Sequence, residues 1–186
     1  MTTKSFLFNR EPVWHEHRRG SQHQLSEAVQ SWAYESGSLT QRLREYYGNS
    51  IAVTLLFHQW RTPFLSERRL LQLPLYRYGL TREVMLHNNG KPLLLARTII
   101  PEETIKVAHR NLSHLGTRPL GEVIFSYPDL ERMSMDLALI PAGSWTPQTL
   151  QKANINQSIW GRRTVYAIHK RPMLVSEFFL PEILGH

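Results

Sequence analysis

Alternation of apolar and polar residues predicts strands in several parts of this chain. Between residues 51 and 59, and again between 131 and 139, apolar residues recur at every second position, as in a strand with one buried face. Two pairs of apolar segments flank short turn signals, and each pair predicts a β-hairpin. These pairs are 76–87 with 92–100, around Asn89-Gly90, and 162–168 with 173–180, around Lys170-Arg171.

Helical spacing of apolar residues predicts helices between these strands. Residues 25–36 keep that spacing, and a second helix is expected from the capping residue Ser38 to Gly48. Pro101 and the two acids after it are typical of a helix start, and 119–125 is expected to form a short helix. Five or six strands joined mainly by hairpins, with three or four helices, predict an α+β fold with an antiparallel sheet.

Composition divides the chain into a polar beginning and one domain. Residues 1–24 carry scattered histidines and charges, and we expect an N-terminal extension outside the core. Residues 25–186 are expected to form a single domain, which suits a chain of 186 residues. Between the predicted elements, 61–74 is expected to be a loop with one helical turn. Residues 141–158 are polar and contain two prolines.

The phase of the first hairpin places two arginines on an apolar face. With Asn89-Gly90 as the central turn residues, Arg82 lies opposite Arg97. The aliphatic residues on the same face are Val84, Leu86, Leu93 and Leu95. Two buried cations facing each other are costly without an anion. Three explanations remain open: a buried Asp or Glu, a bulge that turns one arginine to solvent, or an anionic ligand.

The phase of the second hairpin isolates one carboxylate. With Lys170-Arg171 as the turn, Glu177 shares a face with six mostly apolar residues. These are Met173, Val175, Phe179, Ile168, Tyr166 and Thr164. Glu177 is either half of an ion pair with Arg82 or Arg97, or an acid or hydrogen-bond acceptor in a pocket. Both explanations predict that the three side chains approach one another.

Several kinds of chemistry are excluded by what the sequence lacks. It contains no cysteine, and therefore no disulfide, thiolate nucleophile or cysteine-bound metal. It has only two aspartates and no histidine spacing typical of a metal site, so no metal is expected. Phosphate-binding glycine loops and the serine-hydrolase motif are also missing. The remaining chemistry depends on positioning, electrostatics and at most one acid–base group.

The charge balance indicates an anionic partner. The formal net charge is +7, and arginines greatly outnumber lysines. Arginine binds planar carboxylates through paired hydrogen bonds, and it also binds nucleic acids. No apolar run approaches the length of a membrane span, and the N-terminus lacks a secretory signal, so we expect a cytoplasmic protein without membrane insertion.

Five motifs, in order and at consistent spacing, carry a family resemblance. They are Arg82-Glu83, Ala96-Arg97-Thr98-Ile99-Ile100-Pro101, Leu115-Gly116-Thr117-Arg118-Pro119-Leu120-Gly121, Trp160-Gly161-Arg162-Arg163 and Pro172-Met173-Leu174-Val175-Ser176-Glu177-Phe178-Phe179-Leu180-Pro181. Over residues 25–181 the chain resembles chorismate pyruvate-lyase, also called 4-hydroxybenzoate synthase. The resemblance implies a single antiparallel sheet of about six strands flanked by helices. It also implies a ligand buried beneath helical flaps.

The resemblance implies a set of site residues. Arg82 matches the arginine that binds the ring carboxylate, and Glu177 matches the glutamate that meets the ring oxygen. Leu120 and Leu39 match pocket-lining positions. From the charge argument we add Arg97 as the group that handles the enolpyruvyl carboxylate or the leaving oxygen, so that Glu177 and Arg97 are the predicted catalytic residues.

The expected function is cleavage of chorismate to 4-hydroxybenzoate and pyruvate, an early step of ubiquinone biosynthesis. The resemblance implies that no cofactor is needed, and we expect a monomer. The alternative is a non-catalytic sensor domain of the same fold that binds a small carboxylate. A nucleic-acid binder would need its arginines on exposed faces, whereas Arg82 and Arg97 point inward by phase.

Overall fold

Hairpin connections determine most of the architecture of this protein. The computed structural model describes residues 4–16, 25–108 and 112–185. Its strands are β1 (His15–Glu16), β2 (Ile51–Arg61), β3 (Gly79–Asn88), β4 (Lys91–Pro101), β5 (Glu131–Ile140), β6 (Ile159–Ile168) and β7 (Arg171–Phe179). They form one antiparallel sheet in the order β1-β5-β6-β7-β4-β3-β2. The six long strands confirm the predicted α+β fold with a single antiparallel sheet of about six strands.

Short helices lie between the strands. They are α1 (Glu27–Ala33), α2 (Leu39–Tyr47), α3 (Leu65–Leu70), α4 (Glu102–Val107), α5 (Leu120–Ile124) and α6 (Pro147–Lys152). The Ser26 and Ser38 side chains cap α1 and α2, each accepting a hydrogen bond from a backbone amide three residues later. The segment predicted as a loop with one helical turn contains α3, and the polar segment 141–158 contains α6.

Both faces of the sheet are covered, and each has its own core. On one face, α1 and α2 pack over β3, β4 and β7, and α5 packs beside Tyr166 and Val175. On the opposite face, Met85, Leu95 and Phe178 pack against the N-terminal segment and the region around α6. The central strands β3, β4, β6 and β7 are therefore buried on both sides, which positions polar side chains in two separate interiors.

The beginning of the chain is part of the second core. Leu7 is fully buried, and the Phe8 ring stacks on Trp145 with their centroids 4.6 Å apart. Backbone hydrogen bonds join this segment to the loop before α6. The expectation that residues 1–24 form an extension outside the core is therefore wrong for 5–8, because the short apolar run Phe6-Leu7-Phe8 packs into the second core. Residues 1–3 and 17–24 lie outside the described residues.

A bulge changes the register of the first hairpin. Leu86 pairs with Leu94 but His87 pairs with Pro92, so Leu93 is an extra residue in β4. Beyond it, Arg97 lies opposite Glu83, the neighbour of Arg82. The prediction that both arginines share a face is therefore wrong, because one inserted residue moves every later β4 side chain to the other face relative to β3.

The second hairpin differs in its turn but not in its faces. His169 and Lys170 have positive φ angles of 47° and 62°, and they form the turn in place of Lys170-Arg171. Moving the turn by one residue shifts each pairing by two residues, so the apolar face predicted for Glu177 is retained. The residue opposite Glu177 is Arg162.

Candidate active site

Four predicted site residues line one small cavity between the sheet and the helices α2 and α5. Leu39, Arg82, Leu120 and Glu177 all face this cavity, whose volume is about 40 Å³. Its lining also includes the polar or aromatic residues Ser38, Thr40, Thr98, Phe125 and Tyr166. The cavity is otherwise apolar, so its few polar groups determine which ligands it suits.

Arg82 is a buried cation without a carboxylate partner. Its Nη2 donates hydrogen bonds to the carbonyl oxygens of Gly116, at 3.0 Å, and Arg118, at 2.9 Å. Its Nε has no hydrogen-bond partner, although the residue is only 2% exposed. Within the described part of the chain no Asp or Glu forms an ion pair with it. Burial lowers the pKa of Arg82 to about 10, and a bound anion would compensate this charge.

Glu177 is held on the same face by Arg162. The Arg162 Nε donates to Oε2 of Glu177 at 2.8 Å, and its Nη1 donates to the carbonyl oxygens of Ala33 and Glu35. Burial alone would lower the pKa of Arg162, but its attraction to Glu177 leaves that pKa above its ordinary value. The Glu177 carboxylate is therefore oriented toward the cavity by a permanently charged partner.

The roof of the cavity consists of the starts of α2 and α5. Ser38 and Thr40 line it from α2, and Gly121 lines it from α5. A Cβ atom on Gly121 would collide with Oγ of Ser38. Only glycine allows the two helix starts to meet this closely. The contact between Ser38 and Gly121 therefore closes the roof of the cavity.

An arginine at the rim supports the aromatic wall. The Tyr166 hydroxyl accepts a hydrogen bond from Nη2 of Arg132 at 3.1 Å, and the Phe125 ring meets Tyr166 edge-on at 5.9 Å. Arg132 also donates to the carbonyl oxygens of Glu35 and Ser36. The connection between α1 and α2, which leads to the roof, therefore receives hydrogen bonds from two arginines, Arg132 and Arg162.

Arg97 lies away from this cavity, on the opposite face of the sheet. It forms a two-pronged ion pair with Glu67 of α3, at 2.7 and 2.9 Å, and a 2.6 Å contact with Glu83. These carboxylates raise the pKa of Arg97 against the opposing effect of burial. The predicted approach of Arg82, Arg97 and Glu177 is therefore wrong. Arg97 has two carboxylate partners of its own and does not line the cavity.

Glu83 connects this buried pair to the N-terminal segment. Its carboxylate accepts hydrogen bonds from the Ser5 hydroxyl and from the backbone amides of Phe6 and Leu7. The network stabilises the second core and anchors the start of the chain. The charge of the buried Arg97 is therefore compensated as the first of the three explanations expected, by a buried Glu. The bulge has placed this pairing on the other face of the sheet.

The importance of Arg162 was missed in the sequence, although a signal was present. Arg162 stands in the family motif Trp160-Gly161-Arg162-Arg163, and it lies opposite Glu177 only if the turn is formed by His169 and Lys170. Ser38, the N-cap of α2, and Thr40 in its first turn were also not predicted to line the cavity. Their places depend on the packing of α2 over the sheet.

Clusters of metal-ligand side chains and membrane-spanning helices are both absent from the described residues. Residues 4–16, 25–108 and 112–185 contain no group of three or more His, Asp or Glu side chains arranged to hold a metal ion. In the same ranges no helix has the length and apolarity to cross a bilayer.

Comparisons with known proteins agree on a family and a fold. The family model described as chorismate lyase matches residues 11–186. A probable chorismate pyruvate-lyase of Methylococcus capsulatus is 40% identical over 84% of this chain and 97% of its own length. Another, from Thiobacillus denitrificans, is 31% identical over 87% of each chain.

A solved structure supports the fold independently. PhnF from Mycobacterium smegmatis superposes with a TM-score of 0.57, at 15% identity over 80% of this chain and 66% of that one. Its isolated effector domain gives a TM-score of 0.56 at 15% identity, over 78% of this chain and 90% of that one. At such identities the likeness concerns the fold alone.

Proposed function

This chain belongs to the chorismate lyase family, and we propose that it cleaves chorismate to 4-hydroxybenzoate and pyruvate without a cofactor. The observation that carries the proposal is Arg82, a cation that is 2% exposed, faces the cavity and lacks a carboxylate partner among the described residues. A carboxylate ligand supplies the missing anion. Glu177 provides the second charged group on the cavity wall.

Arg82 binds the ring carboxylate of the substrate. Its Nη2 is committed to two backbone carbonyls, but Nε remains free to donate to a ligand. Hydrogen bonds between a guanidinium and a carboxylate are strong where water is excluded. Because the arginine is already desolvated, much of the cost of burying its charge is met before the ligand arrives.

Glu177 orients the ring hydroxyl or accepts a proton. In the reaction, the bond between the ring and the enolpyruvyl oxygen breaks, and its electron pair leaves with that oxygen. The ring carbon bearing the hydroxyl loses a proton, and the departing enolpyruvate gains one to become pyruvate. The ring becomes aromatic, so the substrate supplies the driving force. The protein has to orient the groups and stabilise the developing charge.

The cavity must enlarge to admit a substrate. A volume of about 40 Å³ accommodates only a few water molecules. Chorismate carries a six-membered ring and two carboxylates, so the roof must open. We place the opening at the contact between Ser38 and Gly121, where the starts of α2 and α5 meet. The family resemblance supports the remaining assignments, namely a monomeric cytoplasmic enzyme acting early in ubiquinone biosynthesis.

The experiment that tests this proposal is incubation of the purified chain with chorismate in the presence of a chelator. We expect equal amounts of 4-hydroxybenzoate and pyruvate, measured by chromatography. Arg82→Met and Glu177→Gln are expected to reduce kcat/KM on the order of 10²–10³-fold, because each leaves a charged partner unmatched. Lys152→Glu, an exposed charge change at the end of α6, serves as the control and retains the activity.

Two outcomes would overturn the assignment. Near-normal turnover by Arg82→Met would show that the ring carboxylate is bound elsewhere. Tight binding of 4-hydroxybenzoate without any turnover would instead identify a non-catalytic carboxylate sensor of the same fold.

A further inference from the structure

The loop between α3 and β3 exposes an unusual run of apolar and aromatic side chains. All five residues of the stretch Pro74–Tyr78 are exposed, and Tyr76 is 86% accessible. Leu75 and Tyr78 are each 59% accessible. The loop is not detached, because Nη1 of Arg68 donates to the Leu75 carbonyl oxygen at 3.0 Å. An ordered loop thus presents large apolar side chains to solvent at one point.

Other residues extend this patch into a surface. A groove of about 750 Å³ lies beside the loop, and no residue lines both this groove and the Arg82 cavity. Trp60, at the end of the edge strand β2, lines one part of it and is 42% exposed. The β6–β7 turn lines another part. We call the following residues the loop surface: Trp60, Leu75, Tyr76, Arg77, Tyr78, Lys170 and Arg171.

The loop surface carries an uncompensated positive charge. Arg77, Lys170 and Arg171 form no ion pair within the described part of the chain. The two acids that line the groove, Glu102 and Glu103, share one cation, Lys106, so a positive excess remains from Arg77, Lys170 and Arg171. The surrounding charge favours the same sign, since the whole chain has a formal net charge of +7. An anionic partner is therefore favoured here.

We propose that the loop surface binds the headgroup region of an anionic membrane. Tyrosine and tryptophan are favoured where water meets lipid, because each joins an apolar ring to a polar edge. Leu75 projects beside them and reaches the acyl boundary, and the three cations meet the anionic headgroups. A groove for single-stranded nucleic acid would offer rings for stacking along a basic track. Pro74 and Leu75 at the exposed loop instead suit an apolar boundary.

Vesicle sedimentation of the full chain tests this proposal. The vesicles are phosphatidylcholine with and without about 30% phosphatidylglycerol, at about 50 and 500 mM NaCl. We expect sedimentation with the anionic vesicles at low salt, and loss of sedimentation at high salt. Trp60 emission is expected to shift to the blue on binding, and Trp60→Phe removes that shift.

Matched variants separate the loop surface from general charge and hydrophobicity. Arg77→Glu is expected to weaken partitioning at least about five-fold, whereas Lys152→Glu leaves it unchanged. Leu75→Ser is expected to weaken it about ten-fold. The corresponding control is Met133→Ser, because Met133 is 61% exposed on β5. All four variants are expected to retain turnover of chorismate, so that failure of this inference can be distinguished from failure of the proposed function.

Three results would overturn the inference. The first is no sedimentation with anionic vesicles at low salt. The second is an equal effect of Arg77→Glu and Lys152→Glu, which would reduce the interaction to net charge. The third is binding of polyuridylic acid that depends on the same residues, together with no binding to vesicles. That result would identify the surface as a nucleic-acid site.

Discussion

Arg162 lies directly opposite Glu177 in the β6–β7 pair, and its Nε donates to Oε2 of Glu177 at 2.8 Å. The same guanidinium donates through Nη1 to the carbonyl oxygens of Ala33 and Glu35, at the end of α1. One buried side chain therefore joins a carboxylate of the cavity wall to the connection that leads into the roof. A change at Arg162 disturbs the wall and the roof together.

Removal of one member of this pair is expected to be costly for stability. Arg162→Met leaves the Glu177 charge and two carbonyls without their donor, so the free energy of unfolding is expected to fall by about 3–5 kcal/mol. The double variant Arg162→Met with Glu177→Leu leaves no unpaired charge and is expected to recover most of that loss. Urea unfolding of the parent protein, the two single variants and the double variant measures this. If the double variant were as unstable as the sum of its single changes, the pair would not be the cause.

Arg82 and Arg97 are expected to respond unequally to the same substitution. Arg97→Met leaves Glu67 and Glu83 buried without their cation, and should lower the free energy of unfolding by about 3–5 kcal/mol. Arg82→Met removes a desolvated cation that lacks a carboxylate partner among the described residues. Its loss also leaves the carbonyl oxygens of Gly116 and Arg118 without their donor, so we expect a small loss of stability, well below that of Arg97→Met. Denaturant midpoints compare the two, and an equal loss in both would contradict the assignment of Arg82 to an external anion.

Gly161 determines how closely the Phe178 ring packs on β6. A Cβ atom at Gly161 would lie 2.5 Å from Cδ1 of Phe178 and 3.0 Å from the Glu177 carbonyl oxygen. Phe178 is fully buried between other rings and cannot move aside. Gly161→Ala is expected to destabilise the protein by about 1–3 kcal/mol. Gly143→Ala is the control, because no atom lies within 4 Å of the added carbon there. Equal melting temperatures for the two variants would refute this account.

The buried position of His58 predicts that the protein loses stability in acid. It lies opposite Arg82 on β2, and its Nε2 is buried without a hydrogen-bond partner. Burial lowers its pKa below 6.5, and the charges of Arg82 and His114 lower it further. The unfolded chain therefore takes up the proton first as pH falls below 6.5. The contribution of neutral His58 to stability is complete above that pH and is lost below it.

Replacement of His58 tests this pH dependence. His58→Gln is expected to show a smaller fall in melting temperature between pH 7.5 and pH 5.5 than the parent protein. Calorimetry in buffers of matched ionic strength measures the difference. Parallel curves for the two proteins would show that His58 does not titrate differently in the folded and unfolded chains.

Prediction from the sequence was most accurate where the signal is local. The strands flanking Asn89-Gly90 and the cap at Ser38 follow from neighbouring residues, and the structure contains the hairpin and the start of α2 at that cap. The face of Glu177 was also predicted, since an error of one residue in the turn preserves the alternation. The register of the first hairpin was predicted wrongly because the bulge at Leu93 was not expected. Pro92 at the start of β4 indicated that strand pairing there could be irregular.

The sequence by itself determined the α+β class and the antiparallel hairpins, because alternation and turn residues are written along the chain. Its resemblance to a known family indicated Leu39, Arg82, Leu120 and Glu177 as site residues. Only the tertiary structure decided the partners of the charges. Arg97 meets Glu67 and Glu83, and Arg162 meets Glu177, across 14 to 30 positions of sequence. The extra residue Leu93 moves the Arg97 guanidinium from one face of the sheet to the other. In the low dielectric of that interior, the guanidinium pairs with the carboxylates that the packing places within reach.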